Sequence, residues 1–199
     1  MKTQLKQKLS KLKGFQQPKI SLEQYVTPPQ LAADILHNAY MNGDIEERKV
    51  ADFGAGTGVL SVGAAMLDGE VVAVDKDGEA LKVAKQNAEM FDLRHKIRFI
   101  EKDVSELDEE FDTVVMNPPF SVHSDTGIDF LRKAIRVSDA VYTVSNPGLR
   151  KRIKDYVENS DHRLEALESF KISLPSSYGF HTQEERETEI DVLITKGEK

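Results

Sequence analysis

The 199-residue sequence contains no cysteine. This excludes a disulfide framework, a cysteine nucleophile and a cysteine-based metal site. The five histidines are dispersed and form neither an HExxH motif nor a close pair, so no metal site is predicted. No apolar run approaches the roughly 20 residues of a membrane span, and the lysine-rich start lacks the apolar stretch of a signal peptide. We therefore expect a cytoplasmic protein without a membrane segment.

Charge is distributed unevenly along the chain. The net charge of −7 argues against a general nucleic-acid coat, but residues 1–20 hold six lysines and no acidic residue. They carry +6 and leave −13 for the remainder. Leucines at 5, 9 and 12 share one face of a helix predicted over roughly 3–13 and ended by Gly14. This pattern suits both a phosphate-binding arm and an ordinary solvated helix, and the two are compatible.

Short apolar strands alternate with helices through most of the chain. Strands are predicted at 49–53, 70–74, 96–100, 112–116 and 139–144, with a further pair at 162–174 and 187–195. Helices are predicted at 59–67, from 78 onward, at 128–137 and at 148–157. With 39% hydrophobic and 31% charged residues, this rhythm predicts one soluble α/β domain. Its sheet would be doubly wound and mostly parallel, with an antiparallel pair at the edge.

The segment Asn117-Pro118-Pro119-Phe120 directly follows a predicted buried strand, and ligands bind at the carboxyl ends of such strands. Pro119 restricts Pro118 and so fixes the direction of its carbonyl. That carbonyl and the Asn117 amide oxygen are two acceptors suited to a planar NH2 group, either an exocyclic amine or a carboxamide. Phe120 could stack on the group that carries it. Asn117, Pro118 and Pro119 could also simply end the strand, since Asn and Pro are common breakers.

A glycine loop, residues 54–58, lies between a strand and a helix, where it permits close approach of a ligand to the backbone. It reads G-x-G-x-G and not the dinucleotide pattern G-x-G-x-x-G. Asp52 would repel a pyrophosphate, but it suits a cationic amino group, directly or through water. Asp75 is placed to bind a ribose diol and Asp103 an adenine amino group, each at a strand end. This set favours S-adenosylmethionine (SAM) over NAD.

The segment before the first helix of the domain supplies further candidates. Thr27 is predicted as the N-cap and Pro28 as the first residue of a helix that reaches about Met41. Gln24, Tyr25 and Thr27 would then lie at a helix N-terminus, which favours an anion such as a carboxylate. An ordinary capped helix explains the same residues.

The motifs DFGAGTG, VVAVDKD and NPPF resemble those of class I methyltransferases that modify exocyclic amino groups. LEQYVTPPQLAADIL and LPSSYGFH resemble, more narrowly, the methyltransferase-like protein five family, which are N6-adenine methyltransferases of small-subunit ribosomal RNA. The resemblance covers about residues 22–194. It implies a Rossmann-like class I methyltransferase fold with an antiparallel C-terminal edge strand, a basic helical arm (1–20) and a methyltransferase domain (21–199). One departure is the acidic segment 182–187, where family members carry a lysine run.

The motifs and the resemblance together give a candidate site. The candidate SAM contacts are Gln24, Tyr25, Thr27, Asp52, Gly54, Gly56, Thr57, Gly58, Val59, Asp75, Asp103 and Val104. The candidate catalytic residues are Asn117, Pro118 and Phe120, and the target would contact Asn117, Pro118, Pro119, Phe120 and Tyr178. The resemblance also implies a small zinc-binding activator subunit that adds a strand to the sheet edge.

Three other functions fit the same motifs. A protein glutamine N5-methyltransferase would present a carboxamide to the same acceptors, although such enzymes usually have tyrosine in place of Phe120 and a larger N-terminal domain. A DNA adenine methyltransferase would be expected to carry an added target-recognition domain. The third is a cofactor-binding assembly partner that has lost catalysis. The sequence argues against it, because every motif residue needed for the chemistry is present.

Overall fold

The computed structural model describes residues 1–119, 125–174 and 186–197. Within them lies one seven-stranded sheet with the order β3-β2-β1-β4-β5-β7-β6. The strands are β1 (Lys49–Phe53), β2 (Glu70–Asp75), β3 (Ile97–Glu101), β4 (Phe111–Met116), β5 (Ser138–Ser145), β6 (His162–Leu174) and β7 (Arg186–Gly197). Strands β1 to β5 are parallel, whereas β7 is antiparallel to both β5 and β6. The predicted sheet and its antiparallel edge pair are confirmed, with β6 outermost.

Helices cover both faces of this sheet. They are α1 (Lys2–Leu9), α2 (Pro29–Met41), α3 (Val59–Met66), α4 (Gly78–Glu89), α5 (Thr126–Val137) and α6 (Arg150–Val157). One apolar core unites α1 to α4 with one face, and a second unites α5 and α6 with the other. This alternation follows from the right-handed crossovers of a doubly wound sheet.

The strand register brings the candidate motifs together. Phe53 of β1 pairs with Val74 of β2 on one side and with Met116 of β4 on the other. Phe53 directly precedes the glycine loop, Val74 directly precedes Asp75, and Met116 directly precedes Asn117. The carboxyl ends of three adjacent strands therefore deliver the three motifs to one edge of the sheet.

The basic helix α1 is shorter than predicted and is docked on the domain. It ends at Leu9, because the N–H groups of Lys11 and Leu12 bond to carbonyls three residues back, at 3.1 and 3.2 Å, in a tighter turn. Leu5 and Leu9 are only 4% and 2% exposed and belong to the core beside α2 and α3. All six lysines of residues 1–20 are exposed, and three of them, Lys2, Lys6 and Lys8, belong to α1, so the helix presents its charge to solvent.

Helix α2 begins one residue later than predicted. Pro29 disfavours the helical conformation of the residue before it, and Pro28 is extended, with ψ of 134°. Pro28 therefore takes the N-cap position, and no side-chain cap is formed. Thr27 is released from the predicted capping role.

Candidate functional site

The glycine loop turns sharply at the end of β1. Gly54, Gly56 and Gly58 have positive φ values of 73°, 52° and 81°, a region that favours glycine. The Gly54 N–H donates to the Val74 carbonyl at 2.9 Å. A Cβ on Gly58 would lie 2.9 Å from Cβ of Ala84, so this glycine allows α3 to pack directly against α4. Gly54 and Gly56 line the cavity beside the loop, whereas Gly58 serves helix packing.

Asp75 connects the end of β2 to the glycine loop. Its Oδ2 accepts the Gly56 N–H at 2.8 Å, and its Oδ1 accepts the Asp77 N–H at 2.8 Å. Burial raises the pKa of the Asp75 carboxyl, although both hydrogen bonds oppose that effect. Each oxygen keeps a lone pair after these bonds, so the carboxyl can still accept hydrogen bonds from hydroxyl groups in the cavity.

Asp52 lies beneath the loop and is almost completely buried. Its Oδ2 accepts hydrogen bonds from the Ser61 N–H at 2.8 Å and the Ser61 hydroxyl at 2.5 Å. Burial raises the pKa of Asp52 to about 7, outweighing the two bonds from Ser61. The carboxyl thus fixes the start of α3 to β1 and also lines the cavity. Its predicted contact with a cationic amino group stays a prediction.

Asp103 and Val104 lie at the far side of the cavity, after β3. Asp103 accepts the Ser105 hydroxyl at 2.7 Å and the Ser105 N–H at 2.9 Å, and these bonds lower the pKa of its carboxyl. The acid caps a short 3-10 turn and remains exposed, whereas Val104 is buried. The Asp103 carboxylate suits the amino group at the edge of a purine, and the apolar Val104 side chain suits its flat face.

The chain before α2 forms another wall of the cavity. Gln24 donates from Nε2 to Asp77 Oδ2 at 2.7 Å and accepts the Lys19 N–H at 2.8 Å. Lys19 also pairs through Nζ with Asp77 Oδ1 at 2.7 Å. Asp77 additionally caps α4 through the Glu79 N–H. Sequence reasoning placed Asp77 only at the start of this helix, yet Asp77 also fixes Gln24 beside the cavity.

Asn87 and Phe15 were also missed. Asn87 is fully buried in α4; it accepts the Lys13 N–H at 2.8 Å and donates to the carbonyls of Lys13 and Thr57 at 2.9 and 2.8 Å. Phe15 follows, and its ring lies so close to Gly56 that a Cβ there would be 2.9 Å from Cζ. The N-terminal segment is thereby attached to the glycine loop.

Asn117 follows β4 at the rim of the cavity. Its Oδ1 accepts a hydrogen bond from the Tyr25 hydroxyl at 2.5 Å, and its Nδ2 donates to the Thr27 hydroxyl oxygen at 3.0 Å. Pro119 lines the cavity, whereas Pro118 is buried and is absent from its described lining. The predicted acceptor role of the Pro118 carbonyl stays a prediction.

One cavity receives most of the candidate residues. The lining includes Gln24, Tyr25, Thr27, Asp52, Gly54, Gly56, Thr57, Val59, Asp75, Asp103, Val104, Asn117 and Pro119. Sequence reasoning did not single out other lining residues, among them Phe15, Leu60, Lys76, Lys102 and Phe130. Phe120 and Tyr178 lie outside the described residues. Phe130 lies in the helix predicted at 128–137, and no local pattern distinguished it from the core residues of that helix.

The chemistry of the lining suits SAM. Four carboxyl groups, those of Glu23, Asp52, Asp75 and Asp103, and the Gln24 amide offer acceptors for a ribose diol, an amino group and an ammonium. The same carboxylates would repel the phosphates of a dinucleotide. The doubly wound sheet places this cavity at the carboxyl ends of its strands. Fold and site define a class I SAM-dependent methyltransferase.

Comparisons with known proteins narrow this class. A family model, Methyltransferase small domain, matches residues 31–168. The rRNA N(6)-adenosine-methyltransferase METTL5 of Danio rerio is 38% identical over 196 residues, 93% of this chain and 93% of that protein. The crystal structure of PH1948 from Pyrococcus horikoshii covers 98% of this chain and 97% of its own, with a TM-score of 0.91 at 38% identity. The chain carries a Methyltransferase small domain and belongs to the METTL5 family of rRNA N6-adenosine methyltransferases. The predicted resemblance is confirmed.

A more local similarity connects the chain to protein methyltransferases. The release factor glutamine methyltransferase of Xylella fastidiosa is 39% identical over 83 residues. That match covers 40% of this chain and 30% of that protein, so it is much less extensive than the METTL5 match.

Two kinds of feature are absent from the part of the chain that the structure describes. Its helices are too short or too polar to cross a membrane. No group of three or more histidine, aspartate or glutamate side chains is arranged there to hold a metal ion.

Proposed function

We propose that this chain transfers the methyl group of SAM to the N6 amino group of an adenine in RNA, specifically small-subunit ribosomal RNA. The observation that carries the proposal is the Asn117 amide, held at the rim of the SAM cavity by Tyr25 and Thr27. The full-length similarity to METTL5 proteins supports adenine in ribosomal RNA as the target.

Different candidate residues would bind different parts of the cofactor. We assign the ribose hydroxyls to Asp75, the adenine to Asp103 and Val104, and the amino acid end to Asp52 and the segment around Gln24 and Thr27. Bound SAM supplies an electrophilic methyl group on a sulfonium. The glycine loop allows the backbone to approach it closely.

The target nitrogen is a poor nucleophile, because its lone pair is conjugated with the adenine ring. Hydrogen bonds from its two N–H groups to Asn117 Oδ1 and the Pro118 carbonyl would favour a pyramidal nitrogen whose lone pair is free to attack. The same acceptors stabilise the positive charge that develops on nitrogen. Much of the rate then comes from orientation, and the proton leaves to water after transfer.

The adenine must first leave its stack. Extrusion costs on the order of a few kcal/mol in a duplex and less in a loop. We propose that Phe120 and Tyr178 compensate for part of this cost by contacting the extruded base, because stacking on an aromatic ring contributes ~1–3 kcal/mol.

The test is tritiated methyl transfer from SAM to ribosomal subunits, free ribosomal RNA, DNA and ribosomal proteins, with nucleoside analysis of the products. We expect labelled N6-methyladenosine in RNA with the wild type and none with Asn117→Ala, whose SAM affinity should change little. Asn146→Ala is a matched control, because Asn146 also precedes a proline at a strand end. Its Oδ1 accepts the Gly148 N–H at 2.8 Å, and Asn146 does not belong to the cavity lining. A fully active Asn117→Ala enzyme would refute the assignment.

The main alternative is glutamine N5 methylation of a protein. It is favoured by the local similarity to release factor glutamine methyltransferases and by the ability of the same acceptors to hold a carboxamide. Label in the protein fraction would establish it, and label in DNA would indicate a DNA adenine methyltransferase. A properly folded, SAM-binding wild type that labels no fraction would point to a missing partner or to a non-catalytic assembly role.

We further propose that residues 1–20 act as a basic arm for RNA, beside a methyltransferase domain of residues 21–199. A small zinc-binding activator subunit would add a strand to an edge of the sheet, and full turnover by the purified chain alone would contradict an obligatory activator. A ribosomal substrate also leads us to propose a cytoplasmic location, which cell fractionation tests.

A further inference from the structure

The Asn117 amide has two hydroxyl partners from the segment before α2. The Tyr25 hydroxyl lies 2.5 Å from Oδ1, and the Thr27 hydroxyl oxygen lies 3.0 Å from Nδ2. Burial raises the pKa of the Tyr25 phenol, so the phenol keeps its proton and remains able to donate. Tyr25 and Thr27 lie 92 and 90 positions before Asn117 in the sequence, yet they contact the two ends of its side-chain amide.

The two hydroxyls are not equivalent partners. A phenol is a better donor than an alkyl alcohol and a poorer acceptor, because its oxygen lone pair is conjugated with the ring. Tyr25 therefore favours the amide oxygen, whereas the Thr27 oxygen is the better acceptor for the amide N–H. If the amide were rotated by 180°, Nδ2 would face the phenol and each contact would be made with the weaker partner. The pair of hydroxyls thus prefers one orientation of Asn117.

That orientation matters for the reaction. A target NH2 group needs an acceptor, and an amide presented by its nitrogen would place donor against donor. An amide oxygen has two lone pairs, so the bond from Tyr25 leaves one for the target. Because the Tyr25 hydroxyl donates to Oδ1, it also disfavours the rotated orientation of the Asn117 amide, which could not accept from the target.

We propose that Tyr25 is a positioning residue for methyl transfer, which with Thr27 orients the Asn117 amide so that Oδ1 receives the target amino group. This inference rests on the proposed function. It differs from the sequence-based prediction, which assigned Tyr25 to the cofactor.

The test compares Tyr25→Phe in two backgrounds. Asn117→Asp provides the second, because a carboxylate has oxygen at both ends and has no wrong orientation. In the Asn117 enzyme, loss of the phenol should lower kcat by about tenfold or more, the scale of one hydrogen bond, with SAM affinity nearly unchanged. In the Asn117→Asp background, the same substitution should change kcat by less than about threefold.

Equal losses in both backgrounds would overturn the inference, and so would a SAM dissociation constant that rises in step with the loss of rate. A second measurement covers the case in which Asn117→Asp is inactive. The side-chain amide resonances of Asn117 in the SAM-bound protein should shift or broaden in Tyr25→Phe, and unchanged resonances would contradict the inference. Failure of the proposed function is distinct, because wild-type protein would then leave ribosomal RNA unlabelled.

Discussion

The Asp75 carboxylate accepts the backbone N–H of Gly56 at 2.8 Å. The acid that ends β2 therefore also shapes the glycine loop that follows β1. Because its other oxygen accepts the Asp77 N–H, Asp75 connects the loop to the start of α4 as well. A substitution at this one side chain is expected to disturb the cofactor cavity on two sides.

Asp75→Asn should raise the SAM dissociation constant by about tenfold and lower the melting temperature. One end of the new amide would place a donor against a backbone N–H, which costs about 1–3 kcal/mol. Calorimetric titration and thermal unfolding measure the two effects. Asp112→Asn is the control, since Asp112 also accepts a backbone N–H, from Lys49 at 2.7 Å, but lies outside the cavity lining. It should keep SAM affinity and most of its stability, because a single amide oxygen suffices for the one Lys49 N–H; equal SAM losses in both variants would contradict the prediction.

The contribution of Asp52 to the stability of the SAM-free protein should fall as pH rises from about 4 to about 7. The pKa of Asp52 is about 7 in the folded state against an ordinary value of 3.8, so the folded protein binds more protons than the unfolded chain in that window. Stability then decreases with pH and the contribution levels off above pH 7. Asp52→Asn, which keeps an acceptor for Ser61, should reduce this slope. Denaturant unfolding from pH 4 to 8 tests it, and an identical slope in the variant would refute the assignment.

SAM should bind more tightly as pH rises through 7. An ammonium near Asp52 would favour its ionised form, so binding would release a proton. Titration in buffers of different ionisation enthalpy detects that release. Asp52→Asn should bind SAM more weakly and without proton release from this residue. Proton release unchanged in the variant would place the ammonium elsewhere.

Phe15→Ala should weaken SAM binding by about tenfold, because the ring lies against Gly56 and forms part of the cavity wall. Equilibrium titration measures the change. Phe99→Ala is a suitable control, since Phe99 is also half-buried but packs against Arg94, outside the cavity lining. If both variants bind SAM like the wild type, Phe15 has no role in the cofactor site.

Replacing Lys6, Lys8 and Lys11 by glutamine should raise the KM for RNA and leave SAM affinity unchanged. All three are exposed, and each lost phosphate contact should reduce the salt dependence of RNA binding by about one unit in the log–log slope. Lys151, Lys154 and Lys171 are three exposed lysines on α6 and β6 for a control variant. Equal effects in both triple variants would mean general charge attraction and no particular role for the arm.

The sheet and the three strand-end motifs could be predicted from the sequence because each is encoded in a contiguous stretch. An apolar strand followed by glycines, an acid or Asn-Pro is visible locally, and parallel topology then places the ends together. Phe15 and Asn87 could not be predicted in the same way, since their contacts depend on how the N-terminal segment docks. The N-cap prediction for Thr27 was wrong because Pro29 moved the helix start, and that shift freed its hydroxyl for Asn117.

Asn87 has a consequence for the dynamics of the whole N-terminal region. Its buried side chain bonds to Lys13 on one side and to Thr57 on the other, so neither segment can leave α4 without breaking hydrogen bonds to Asn87. Residues near 13 and the glycine loop should therefore open as one cooperative unit. In a hydrogen-exchange experiment, the Lys13 amide would slow its exchange when SAM stabilises the loop, and would report cofactor occupancy from near the beginning of the chain.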